Sequence, residues 1–180
     1  YSPMEMLDGD ENKGEDHYFR FDPQNNAYSP VRARYLKQFA AARVGEANSY
    51  WAYGTMAVQP SMNIPSVFYD WYHYNHGQGD SSYKAKGSYR AAAVVTSAFL
   101  NQNGSYALFL SNARDSGQRI TIPLSVKALR LPDEDRTLSL THGFGGEVLT
   151  HDDLGMLRRD EQREITLTLQ PHTLYMLEIK

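Results

Sequence analysis

The 180-residue sequence carries 18 Lys+Arg against 21 Asp+Glu, a formal net charge of -3, and is 41% hydrophobic. Charges that nearly cancel remove the bulk electrostatic case for nucleic acid, which needs clustered basic side chains. The hydrophobic share suits a chain with a core, no apolar run reaches the roughly 18–20 residues of a membrane-spanning helix, and with 0 Cys there are no disulfides, thiolate metal sites or cysteine nucleophiles. The length fits one large domain, or one domain plus part of another. The chain begins at Tyr1 and not at Met, which leads us to expect a trimmed start or a piece of something longer.

Residues 1–29 are polar and acidic. Asp8, Asp10 and Asn12 take positions one, three and five of a calcium loop, but Lys13 stands where the turn needs Gly and Phe19 where the loop needs Glu, so a solvated loop is the better reading. Ser29-Pro30 then opens a helix: Ser is a good N-cap and Pro is favoured at the first helical position. Val31, Tyr35, Phe39 and Ala42 recur at helical spacing opposite Arg32, Arg34, Lys37 and Arg43, and Gly45 is a plausible stop. Ser49 to Gly54 reads as an aromatic strand, after which Pro60 and Pro65 forbid any long element. The stretch 67–76 is dense in aromatics, with Phe68, Trp71 and Tyr72 at the spacing of one face of a short helical turn. A composition change between about residues 60 and 88 suggests a domain boundary, placed so that 1–76 and 77–180 are the two parts.

Beyond Ser88 the hydrophobic period becomes two. Residues 89–100 and 106–110 read as buried strands joined at Asn103-Gly104, a two-residue turn in which both residues tolerate positive φ. Ile120, Ile122, Leu124 and Val126 alternate with polar neighbours, and Pro123 confines that strand to an edge or a bulge. Leu138 and Leu140, then Ile165, Leu167 and Leu169, alternate likewise, and Pro171-His172 turns the chain into a final strand at 174–179. The expected fold is mainly β, an antiparallel β-sandwich preceded by a helix.

Few residues offer chemistry. His73 and His76 stand near Asp70 and Asp80, but zinc needs three or four converging ligands, so polar loop histidines are expected and no metal or cofactor is assigned. His151 beside Asp152-Asp153 imitates half of a triad without a nucleophile elbow. Gly143-Phe144-Gly145-Gly146 lacks the helix that a phosphate loop requires. Asn103-Gly104-Ser105 matches a glycosylation sequon that the turn already explains. The acidic run Asp133-Glu134-Asp135 marks a solvated turn. Glycosidases hold two carboxylates across the scissile bond, and Asp70, Asp80, Glu147, Asp152 and Asp153 form no identifiable pair, so no catalytic residue is named. The aromatics Trp71, Tyr72 and Tyr74 have two readings: stacking on the faces of a carbohydrate, or packing between domains, which is the commoner use of such large amphipathic rings.

Tyr35-Leu36 and Arg43 on the helix, followed by Tyr50-Trp51-Ala52-Tyr53-Gly54-Thr55-Met56, are similar to the last helix and last strand of a (β/α)8 catalytic barrel. Val94-Val95-Thr96-Ser97-Ala98-Phe99, Asn103-Gly104-Ser105-Tyr106-Ala107-Leu108-Phe109-Leu110-Ser111-Asn112 and Leu169-Gln170-Pro171-His172-Thr173-Leu174-Tyr175-Met176-Leu177-Glu178 look like the C-terminal β-domain of the same enzymes. Over about residues 29–180 the chain thus resembles the C-terminal part of an uncharacterised glycoside-hydrolase-like family related to α-galactosidase-type barrel enzymes. The resemblance implies a non-catalytic portion whose sandwich stabilises or orients a carbohydrate-processing barrel, carried upstream in the same chain or by a partner chain. The family's catalytic acids would lie on earlier barrel strands. Trp51, Tyr53, Gly54 and Met56 would then be substrate-wall candidates at the barrel's mouth, with core packing the alternative for Trp51. A stand-alone carbohydrate-binding sandwich and a protein-interaction sandwich are the competing readings.

Overall fold

The computed structural model describes residues 30–74, 83–146 and 148–180. The chain divides into two compact units, one formed by Tyr1–Leu36 with Ser66–Ala92 and the other by Lys37–Pro65 with Ala93–Lys180. Both are discontinuous in sequence, and the expected division at residue 76 falls in a segment outside the described residues.

Helix α1, Pro30–Val44, lies where the Pro and the alanines predict. It ends at Gly45, whose N–H donates to Ala41 O at 3.0 Å and Ala42 O at 3.2 Å. The N-cap assigned to Ser29 and the calcium-like loop lie outside the described residues.

In the first unit, strands β2 (Ser66–Tyr74) and β3 (Tyr83–Ala92) pair antiparallel as a two-stranded ribbon. The stretch read as a helical turn is therefore strand, with Tyr69 opposite Tyr89 and Trp71 opposite Gly87 in register. The ladder saturates backbone groups that a single helical turn would leave open.

The second unit is the sandwich. Its larger sheet has the order β1-β4-β5-β10-β7-β8, with β1 Thr55–Met56, β4 Val94–Leu100, β5 Tyr106–Asn112, β7 Arg136–His142, β8 Thr150–Leu157 and β10 Thr173–Ile179. Strands β6 (Gln118–Leu124) and β9 (Arg163–Leu169) form a separate pair. All pairings are antiparallel. Pro123 sits opposite Glu164 on β6, which has β9 as its one ladder partner among the described residues, as the missing N–H requires.

Period-two alternation sorts the side chains into two cores. Leu108 and Leu110 of β5 and Leu177 and Ile179 of β10 join Leu138, Leu140 and Leu157 against Ile120, Ile122, Leu124, Ile165 and Leu169 of the smaller sheet. The intervening residues, Ala107 and Phe109 of β5 and Leu174 and Met176 of β10, pack on the other face against Ala42 and Ala47, with Tyr50 and Phe144. Each large apolar side chain so buried stabilises by about 1.5–3 kcal/mol. The centre of the big sheet is thus dry on both faces: every residue of β5 is buried.

Three further local expectations are corrected, and one strand that none of them covered is added. The aromatic segment 49–54 is not a strand: Asn48–Trp51 forms a short helix, α2, and only Thr55–Met56 extends, pairing antiparallel with Leu100 and Phe99 of the sandwich. A last barrel strand would run parallel to its neighbours. Burial of Tyr50 and Trp51 against the sheet outweighs the strand preference of their types. The run 89–100 is two strands in different sheets, broken at Ala93, whose N–H leaves both ladders to donate to Pro65 O at 2.8 Å. The hairpin after β4 is not a two-residue turn: Asn101 N donates to Ser105 O at 2.9 Å and Gly104 N to Asn101 O at 3.1 Å, enclosing a three-residue loop in which Gly104 alone has positive φ, +81°. Finally β8 is a strand without an apolar alternation to announce it, because its residues lie mostly exposed at the sheet edge.

Candidate functional site

Trp51, Tyr53, Gly54 and Met56 run along the turn from α2 into β1. Trp51 is half-buried and packed: its ring stacks on Phe39 with centroids 6.2 Å apart and tilts on Phe109 at 4.6 Å. Tyr53 and Met56 are 64% and 79% exposed. Gly54 lets the chain squeeze past its neighbours, since a Cβ there would meet Tyr50 O at 2.4 Å and Leu100 O at 2.7 Å. Trp71, Tyr72 and Tyr74 lie on strand β2, in the other unit. Because the segment is strand, Phe68, Trp71 and Tyr72 do not share the helical face their spacing suggests, and the ladder shifts register between His73 and Tyr74.

The sequence reading passed over a buried polar pair on the helix-covered face. Glu178 is 5% exposed, and Tyr50 Oη donates to its Oε1 at 2.9 Å. Lys180 Nζ donates to the other oxygen at 3.0 Å. Burial holds the Tyr50 phenol well above the ordinary tyrosine range, and the charge and hydrogen bond of Glu178 push the same way, against a smaller opposing bond with Ser105. A phenol that keeps its proton is a donor tying α2 to β10. The signal was present in the last strand, where Leu174, Met176 and Glu178 share a parity, which puts a carboxylate on a dry face.

Two further contacts complete that face. Gln38 Nε2 donates to His172 O at 2.7 Å, and its Oε1 accepts from Leu174 N at 3.0 Å, a two-pronged clamp from α1 onto the start of β10. The Gly143-Phe144-Gly145-Gly146 turn serves the same purpose. Gly146 N donates to Gly143 O at 3.1 Å, which projects Phe144 into the helix-side core. A Cβ on Gly145 would meet Lys37 O at 3.0 Å, so only Gly allows this approach to α1.

The scattered acids and histidines are paired off individually. His142 Nε2 lies 3.2 Å from Asp152 Oδ2, and His151 Nδ1 lies 3.0 Å from Thr141 Oγ1. Asp153 Oδ1 accepts from Gly155 N at 2.7 Å. His172 Nε2 meets Asp115 Oδ1 at 2.7 Å. His151 and Asp152, adjacent in sequence, therefore serve different partners. The acidic turn is exposed, and Glu134 pairs with the buried Arg136 at 2.6 Å. Glu147, His76 and Asp80 lie outside the described residues, and for Asp70 and His73 only the strand position is described. Among the described residues no three His, Asp or Glu side chains converge as metal ligands would.

No protein-family model matches the sequence, and no curated protein matches it. Solved glycoside hydrolases are similar to it over about half its length. A candidate α-N-acetylgalactosaminidase of Bacillus halodurans shares 23% identity over 51% of this chain, with a TM-score of 0.33. A GH27 β-L-arabinopyranosidase of Geobacillus stearothermophilus shares 15% over 51%, TM-score 0.34. A family 44 endoglucanase of Clostridium acetobutylium shares 10% over 52%, TM-score 0.36. This chain spans 18% of the length of each of these.

Proposed function

We propose that the chain is the non-catalytic C-terminal portion of a glycoside-hydrolase-like enzyme, its sandwich stabilising or orienting a carbohydrate-processing catalytic domain. The observation that carries this reading is the covered face of the large sheet: residues 37–51 form a layer of the sandwich itself, fixed by Gln38 on β10, by Tyr50 on Glu178 and by Phe144. With residues 37–51 built in as a layer of the sandwich, this stretch is not a plain linker, which would leave an upstream domain free to reorient. The residue-level likeness to the tail of α-galactosidase-type barrel enzymes supports a barrel as that upstream domain. In this reading the wall candidates are Trp51, Tyr53, Gly54 and Met56, of which Tyr53 and Met56 are the exposed ones while Trp51, packed on Phe39 and Phe109, takes the core-packing alternative.

The test has two arms. The chain alone is expected to release no chromophore from a panel of aryl α- and β-glycosides, whereas an upstream barrel deprived of it inactivates faster on heating. Turnover by the chain that survives purification and vanishes on replacing Asp70, Glu147, Asp152 or Asp153 overturns the non-catalytic reading. A second reading, a stand-alone carbohydrate-binding sandwich, draws on the ribbon, where Phe68 is 68% and Tyr89 51% exposed. Aromatic rings can stack on the faces of sugars, and Trp71, Tyr72 and Tyr74 would be the stacking residues. Titration with oligosaccharides followed by Trp fluorescence decides it: quenching favours binding, and silence across the panel leaves a protein-contact role.

A further inference from the structure

Strand β8 ends the six-stranded sheet, with β7 as its one ladder partner among the described residues. An edge of this kind presents open carbonyl and N–H groups that template the addition of another strand. Its side chains give little cover: His151, Asp152, Asp153 and Gly155 are exposed, Met156 is 53% exposed, and Val148 just before the strand is 71% exposed.

The open edge is nevertheless occupied. Arg163, the first residue of β9, pairs with Leu124 in the smaller sheet and sends its guanidinium across to the larger one. Nη2 donates to Leu154 O at 2.7 Å and Nη1 to Met156 O at 2.8 Å. Carbonyls two residues apart on one edge are the pair that an incoming antiparallel strand would engage, and the planar fork of an arginine holds both at once. The backbone beneath is shaped for it. The ladder slips between Leu138 and Ser139, which pair with Gly155 and Asp153, so Leu154 is an extra, bulged residue. Gly155 takes φ +83°, and a Cβ on it would stand 3.7 Å from Arg163 Nη1. Asp153 Oδ1 accepts the Gly155 N–H and fixes the bulge.

We propose that Arg163 closes the β8 edge against strand addition, and that the addition it excludes is by a second copy of this chain, β8 to β8. Self-pairing is the closed case: two identical edges related by a two-fold axis satisfy each other and leave no further edge on that side. The fork removes the two acceptors on which such a ladder would begin.

Sedimentation of the full chain across a concentration series tests this. Arg163→Ala is expected to raise the weight-average mass above that of the parent at matched concentration, while circular dichroism reports the same strand content. Adding Met156→Lys to Arg163→Ala, which plants a charge on the edge itself, is expected to bring the mass back to the parent value. Should Arg163→Ala fail to fold, Arg163→Lys carries the same comparison, since an ammonium lacks the fork and guards less well. A folded variant with the parent's mass throughout overturns the proposal. So does association that Met156→Lys leaves unchanged, which assigns it to another surface.

Discussion

At the scale of single residues, two glycines separate backbone strain from steric collision. Gly104 has φ +81° with nothing within 4 Å of where a Cβ would stand, so Gly104→Val is expected to cost only the left-handed strain, about 1–2 kcal/mol. Gly143 has a similar φ, +82°, but a Cβ there would meet Val148 O at 2.5 Å, so Gly143→Val is expected to cost distinctly more. Thermal melts of the two variants give the comparison; equal losses would contradict it. That residue 104 must be Gly was legible from Asn-Gly, but the loop length was not. Asn101 Oδ1 accepts from Asn103 N and Ser105 N, closing a loop one residue longer than the dipeptide suggests. Titration offers a second residue-scale test. Burial raises the phenol of Tyr106, whose hydroxyl donates to Val58 O at 2.9 Å, above its ordinary value, as it does for Tyr50. An acid whose folded-state pKa is raised is deprotonated first in the unfolded chain. Stability is therefore intact below about pH 10 and declines as pH rises beyond it. Urea unfolding on an alkaline pH series should show that decline, and Tyr106→Phe should make it shallower, leaving the Tyr50 share, while costing about 1 kcal/mol at neutral pH.

At the scale of elements, the layer over the large sheet depends on contacts that no local pattern announces. Helix α1 was visible as a helix because Pro, Ala and the 3.6 period agree. That its Gln38 would clamp β10 was not, because the two groups it satisfies, His172 O and Leu174 N, come from the far end of the chain. Gln38→Leu keeps the volume and abandons both backbone groups; each lost partner is worth about 1–3 kcal/mol when its group stays buried. Phe144→Ala should cost about 3–5 kcal/mol, a core-sized loss from what reads as a loop residue. Denaturant melts of the two variants test this, and losses of surface size would mean that the layer is loosely held. Helix α2 escaped the sequence reading because Tyr and Trp favour strands until a sheet face buries them. Strand β8 escaped because an edge with polar side chains on both faces leaves no period to read.

At the scale of the whole chain, the expected split into 1–76 and 77–180 followed composition, whereas the compact units follow contacts between distant segments. Lys37–Pro65 belongs with the sandwich, so a fragment of residues 93–180 would lack the cover over Phe109, Leu174 and Met176. Exposing those three side chains should cost roughly 5 kcal/mol and make the fragment bind a hydrophobic dye. A fragment that melts like the full chain would show the layer to be energetically idle. The sandwich itself was legible because period two survives wherever one face meets the smaller sheet. The doubly buried centre was harder to read, since β5 runs Tyr-Ala-Leu-Phe-Leu with no wet position. That same dryness makes β5 a clock. It lies between β4 and β10, both faces covered, so its amides have no partial opening that brings them to water. In deuterium they are expected to exchange last and at one common rate, that of the sandwich coming apart entirely, while the amides of β8 exchange ahead of them from the rim.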